Sequence, residues 1–153
     1  MVGISLGVMG AVTGIVQGGI IRWSAPRLGD HRSVNLGLCF YALGMLLFAF
    51  ANQSWMMYAF LVPYCLGGIA GPSLQSIITK NIPSQEQGAL QGALTSLMSG
   101  TAIIGPPLMT NLFYYFTHDD APFLFPGAPF FLSFILFILS IILINRKFRK
   151  KKA

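Results

Sequence analysis

The feature that most constrains this chain is a series of five long apolar stretches that contain no Asp, Glu, Lys or Arg. They cover residues 2–21, 34–51, 55–78, 88–116 and 126–145. A transmembrane helix needs about 20 apolar residues to cross about 30 Å of hydrocarbon, and each stretch approaches or exceeds that length. A membrane β-barrel would need alternating stretches of about 10 residues, which the sequence lacks. The sequence therefore predicts an all-α membrane protein with five transmembrane helices.

The charged residues agree with a membrane environment. They make up 9% of the 153 residues, whereas a soluble domain has about 25%. The net charge is +6, and six of the ten basic residues lie in the tail, residues 146–153. No aromatic residues alternate with the basic ones as nucleic-acid stacking would require. We therefore expect this tail to face the anionic headgroups of a lipid bilayer, with no nucleic acid as a partner.

The positions of the basic residues predict an orientation. Arg22, Arg27 and Arg32 follow the first stretch, Lys80 follows the third, and the tail follows the fifth. The two remaining loops carry no lysine or arginine. Because cytoplasmic loops collect positive charge, we expect a multi-pass protein of the inner membrane with its N-terminus outside and its C-terminus in the cytoplasm.

Two stretches carry small residues on one face. In the first, five glycines fall within an arc of about 80° on a helical wheel: Gly3, Gly7, Gly10, Gly14 and Gly18. In the fourth, small and polar residues share an arc of about 140°: Gly88, Gln91, Gly92, Thr95, Ser96, Ser99 and Ala102. Small residues let helices approach closely in lipid, so we expect both glycine faces to be packing surfaces in a helix bundle.

Four polar residues in these stretches are candidates for substrate binding. Thr13 and Gln17 flank the glycines of the first stretch, while Gln91 and Thr95 lie on the small face of the fourth. A polar side chain inside a membrane bundle either bonds a neighbouring helix or lines a cavity. The sequence leaves both roles open for all four residues.

The sequence gives no support for a metal, a cofactor or an enzyme. Cys39 and Cys65 lack the paired spacing of a zinc site, and no nucleophile, phosphate-loop or metalloprotease motif occurs. A membrane enzyme is therefore the weakest of three functional hypotheses. The segments 67–72 and 105–107 are rich in Gly and Pro, which predicts a kink or a break in the third and fourth helices.

Four motifs resemble the tetracycline-resistance branch of the major facilitator superfamily, which are drug–proton antiporters. "PRLGDHR" resembles the cytoplasmic loop between the eighth and ninth helices of that family, and within it Arg27, Gly29 and Arg32 match the loop motif. "GGIAGPSLQS" resembles the tenth helix, "QGALQGALTSLMSGTAIIGPP" the eleventh, and "PGAPFF" the start of the twelfth. The resemblance covers all 153 residues in order.

This resemblance implies a partial C-terminal half of the transporter fold, corresponding to helices eight to twelve. The missing N-terminal half would then be a partner, and a small amphiphilic compound the substrate. Gln17 matches a glutamine that tetracycline pumps present to the drug, but Thr13 stands where they have histidine. Tetracycline and another amphiphilic compound both remain open as substrates.

A second hypothesis needs no transport. Five helices cannot form the cavity that lies between two transporter halves. The chain would then be a truncated membrane protein without activity of its own, or a partner that docks on another subunit.

Overall fold

The computed structural model describes residues 29–118 and 124–150, together with Gly7, Gly10, Gly14 and Ile15, which are helical. Its helices are α1 (Asp30–Ala49), α2 (Ser54–Leu66), α3 (Ala70–Lys80), α4 (Gln87–Thr117) and α5 (Ala128–Lys150). Short 3-10 turns, Gly67–Ile69 and Ser84–Glu86, precede α3 and α4. This part of the chain contains no β-strand, which confirms the all-α prediction for it.

Three helical segments of the described residues are long and apolar enough to cross a membrane: Asp30–Ala49, Trp55–Lys80 and Ala128–Lys147. They correspond to the second, third and fifth predicted stretches. Helix α4 has 31 residues, a length of about 46 Å at 1.5 Å per residue. It is not one of these three segments, because polar residues such as Gln91 and Asn111 lower its hydropathy. Most of the first stretch lies outside the described residues, so the count of five spans stays a prediction.

The two Gly/Pro segments behave differently. In the third stretch the 3-10 turn Gly67–Ile69 separates α2 from α3, so the predicted interruption is present. Helix α4, in contrast, continues through Pro106 and Pro107, and the alternative of a break there is wrong. These prolines lack the N–H groups that would bond the carbonyl groups of Ala102 and Ile103, and the surrounding turns hold the helix together across that gap.

Helix α1 packs tightly and antiparallel against α2 and α3. A Cβ atom added to Gly44 would lie 2.8 Å from Cβ of Tyr64, and one added to Gly37 would lie 2.6 Å from the backbone nitrogen of Ala70. Neither glycine could carry a side chain without moving the facing helix. The backbones therefore approach closely, which is the arrangement that stabilises helix pairs in lipid.

Aromatic rings fill the groove between α1 and its two neighbours. The ring of Tyr41 packs edge-on against Tyr64 on α2, with ring centres 5.1 Å apart, and stacks on Phe137 of α5 at 5.3 Å. About two turns further along α1, Phe48 packs edge-on against Tyr64 with ring centres 5.9 Å apart, and its ring lies tilted against Phe130 at 5.8 Å. Helix α1 is thus the central helix of a three-helix core formed with α2–α3 and α5.

Helix α4 stands at the edge of this core. It has no buried residue, and it meets α5 through its C-terminal part. There Phe50, Phe116 and Phe125 help to line an apolar cavity of about 420 Å³. The N-terminal two thirds of α4, which carry its small and polar residues, are left uncovered by the described helices.

Candidate substrate-binding surface

The polar face of α4 is formed by Gln91 and Thr95 with Ser96 and Ser99. Gln91 and Thr95 are four residues apart, so one lies about 6 Å above the other on the same side of the helix. All four side chains are exposed. None of them forms a hydrogen bond with any residue that the structure describes.

Other polar side chains of α4 form hydrogen bonds with the backbone of the same helix. The hydroxyl of Thr101 donates to the carbonyl oxygen of Met98 at 2.8 Å, and the amide of Asn111 donates to that of Pro107 at 2.8 Å. Unbonded polar groups are costly in hydrocarbon, where no water replaces the missing partner. The polar face of α4 therefore needs either another protein segment or a water-filled cavity beside it.

The glycines predicted to form packing faces have open space around them in the described part of the chain. A Cβ atom added to Gly88 or Gly92 would meet nothing within 4 Å. The same is true of Gly7, Gly10 and Gly14. Their packing role stays a prediction that requires further helices. Gly3, Gly18, Thr13 and Gln17 lie outside the described residues.

The predicted cytoplasmic loop motif leads directly into α1. Gly29 has φ +78°, a left-handed conformation that favours glycine, and its carbonyl oxygen accepts a hydrogen bond from the backbone of Ser33 at 3.0 Å. Gly29 thus sets the turn that begins the helix. Arg32 is exposed in the first turn of α1, and Arg27 lies outside the described residues.

An ion pair beside this motif was not predicted from the sequence. The carboxylate of Asp30 accepts hydrogen bonds from Nζ of Lys80 at 2.5 Å and from the hydroxyl of Ser76 at 3.1 Å. This contact joins the start of α1 to the end of α3. Asp30 and Lys80 are 50 residues apart in the sequence. Each lies at the end of a predicted span on the same predicted side of the membrane, and this shared position was the available signal for the contact.

A second missed contact joins α1 to α5. The amide of Asn35 donates to the side-chain oxygen of Asn145 at 2.8 Å. Both residues lie in stretches that are otherwise apolar, one near the start and one at the end. Among the described residues there is no group of three His, Cys, Asp or Glu side chains that could hold a metal ion.

Comparison with known proteins places these features in a family. The model of the Major Facilitator Superfamily matches residues 1–153. The chain belongs to the Major Facilitator Superfamily. It is therefore a multi-pass membrane protein of that superfamily, and the predicted family is confirmed.

Relatives within the superfamily include several tetracycline resistance proteins. The chain is 39% identical over 112 residues to the class G protein of Vibrio anguillarum and 39% identical over 113 residues to the class E protein of Escherichia coli. It is also 30% identical over 127 residues to hippocampus abundant transcript-like protein 1 of mouse. These alignments cover 73–74% of the chain but only 25–28% of the relatives. No solved structure matches.

Proposed function

We propose that this superfamily member is the C-terminal portion, helices eight to twelve, of a transporter that exports a small amphiphilic compound in exchange for protons. The observation that carries the proposal is the polar face of α4, which has no hydrogen-bond partner among the residues that the structure describes. The chain itself spans about 28% of its tetracycline-resistance relatives. Polar side chains at membrane depth that bond neither their own backbone nor a neighbour are typical of a transport cavity.

In this proposal the missing helices complete the cavity. Transporters of this fold bind substrate between two six-helix halves. Gln91 and Thr95 then face substrate or the other half, and Gly88 and Gly92 form a seam against a neighbouring helix. Gln17, with Thr13 beside it, lines the cavity from the first helix.

The coupling ion and the orientation belong to the same proposal. No acidic or basic residue lies within the five apolar stretches, so the group that carries the proton would come from the missing part of the transporter. The basic loops and tail favour a cytoplasmic C-terminus in the inner membrane. The exported compound is tetracycline or another amphiphile, and Thr13 in place of histidine favours testing both.

The test is a fusion of this chain to the first seven helices of the class G tetracycline resistance protein. Efflux of tetracycline and of ethidium, a lipophilic cation, is measured in cells as energy-dependent loss of accumulated compound. We expect Gln91→Ala and Thr95→Ala to reduce efflux of the transported compound about tenfold, the effect of one lost hydrogen bond to substrate. Gln17→Ala should also weaken efflux.

The matched control is Thr101→Ala. Thr101 has the same side chain as Thr95 and lies on the same helix, about 120° around the helix axis from Thr95. Its hydroxyl bonds its own backbone. We expect this variant to keep full efflux. Equal loss in the Thr95 and Thr101 variants, or full efflux after Gln91→Ala, would contradict the assignment of this face to the cavity.

A second candidate is a membrane protein without transport activity that docks on another subunit. The uncovered faces of α4 at Gly88 and Gly92 favour it, because a docking helix also needs such a surface. The fusion distinguishes the two: a fusion that is correctly folded and inserted but exports neither compound supports the docking role.

A further inference from the structure

Three exposed basic residues lie at one end of the α1–α5 helix pair, and none of them forms an ion pair with a residue that the structure describes. Asn35 near the start of α1 bonds Asn145 near the end of α5. Further along α1, the ring of Tyr41 stacks on Phe137, which lies earlier in α5, so the two helices run antiparallel. Arg32 lies one turn before Asn35, and Arg146 follows Asn145 directly. The contact between the asparagines therefore places both arginines at the same end of the bundle.

The depth of these residues matches that of lipid headgroups. The apolar segment of α5 ends at Lys147 and that of α1 begins at Asp30, so Arg32, Arg146 and Lys147 lie where hydrocarbon gives way to water. All three side chains are exposed. Long basic side chains at this depth extend toward the phosphate groups of the bilayer.

Within ranges 29–118 and 124–150, no acidic side chain forms an ion pair with Arg32, Arg146 or Lys147. Asp30 is bound by Lys80 and Ser76, and Glu86 lies in the turn before α4. The pair of Asp30 with Lys80 is the one ion pair within the described ranges 29–118 and 124–150. Packed helices lie about 8–10 Å apart, a gap that one phosphate can bridge between side chains on α1 and α5.

We propose that the ends of α1 and α5 form a binding site for the headgroup of an anionic phospholipid, with Arg32, Arg146 and Lys147 supplying the positive charge. Charge complementarity selects this ligand: a phosphodiester lipid without a compensating cation is anionic and is held at this depth by its acyl chains. Only the choice of the cytoplasmic leaflet rests on the orientation proposed above; the site itself does not depend on transport.

The experiment is native mass spectrometry of the whole chain in detergent, titrated with phosphatidylglycerol or with phosphatidylcholine of the same acyl chains. We expect the first phosphatidylglycerol to bind at least about tenfold more tightly than phosphatidylcholine, since each basic residue at an anionic surface contributes about fivefold. The triple variant Arg32→Gln, Arg146→Gln, Lys147→Gln should lose this preference.

The matched control is Lys150→Gln, Lys151→Gln, Lys152→Gln, which removes the same charge from the tail. We expect it to keep most of the preference. Equal loss in both triple variants would show general attraction and overturn the proposal, as would displacement of the lipid by inorganic phosphate. If the first triple variant does not fold, the pair Arg146→Gln, Lys147→Gln is compared with Lys151→Gln, Lys152→Gln, and the same outcomes apply.

Discussion

Replacing Gly37 by alanine tests whether close helix contact holds the core together. The added Cβ atom would lie 2.6 Å from the backbone nitrogen of Ala70, 2.8 Å from its Cβ and 2.9 Å from its Cα. Ordinary contacts are 3.4–4 Å, so α1 and α3 must separate by about 1 Å. The facing atoms belong to a helix backbone and cannot rotate away.

The cost follows from that separation. A gap of 0.5–1 Å removes a quarter to a half of the attraction between facing atoms, and it applies along the whole α1–α3 contact. Overpacking of this kind typically costs about 1–3 kcal/mol. For a chain of this size the melting temperature should fall by about 3–9 °C.

Cys65 provides the assay. It is 7% exposed and packs beside Leu61 in the core, whereas Cys39 is exposed. In a Cys39→Ser background, a thiol-reactive fluorogenic dye reports the melting of the helix core in detergent, because only unfolding exposes the thiol of Cys65.

Gly88→Ala is the matched control. Nothing lies within 4 Å of its added Cβ atom, and alanine favours a helix by up to about 1 kcal/mol over glycine, so the melting temperature should stay the same or rise. An unchanged melting temperature for Gly37→Ala, or an equal fall in both variants, would refute the reasoning.

Two further predictions concern the contacts of α1 with α5. A double-mutant cycle with Asn35→Ala and Asn145→Ala should give a coupling energy of about 0.6 kcal/mol and no more than about 1.7 kcal/mol, as for other hydrogen bonds between membrane helices; zero coupling in unfolding measurements would contradict the 2.8 Å contact. Tyr41→Leu should cost about 1–3 kcal/mol because it removes ring contacts with Tyr64 and Phe137. Tyr41→Phe should keep that stability, and equal losses in the two variants would rule out the rings as the cause.

The helical class was predictable because the apolar stretches are long and uncharged. The bilayer sets one length scale for every span, so composition alone identifies helices such as α1 and α5. The interruption at Gly67–Ile69 was predictable from its glycines. The continuity of α4 through Pro106 was not, because the turns on either side decide whether a proline breaks a helix.

The choice of packing faces was harder to predict. Helix α1 is apolar on most of its surface, so hydrophobic periodicity does not indicate which side meets α2 and α3. The glycines of the first and fourth stretches drew attention because they are numerous, yet the contacts that the structure shows are made by Gly37 and Gly44. Their spacing of seven, with Ser33 four residues before Gly37, was the available signal.

The candidate site was predictable only in part. The polar face of α4 follows from the positions of Gln91 and Thr95 along a helix. The ion pair of Asp30 with Lys80 joins residues 50 positions apart, and the hydrogen bond between Asn35 and Asn145 joins residues 110 positions apart. Such contacts require the arrangement of the helices, which one sequence does not determine.

The most direct test of the central claim is substrate uptake into everted membrane vesicles with an imposed proton gradient. Three samples are compared: the 153-residue chain alone, the fusion to the first seven helices of the class G protein, and the same fusion after a protonophore has collapsed the gradient. We expect uptake of tetracycline or ethidium only by the fusion and only with the gradient. Uptake by the chain alone, or gradient-independent uptake by the folded fusion, would contradict the claim that this chain is part of a proton-coupled exporter.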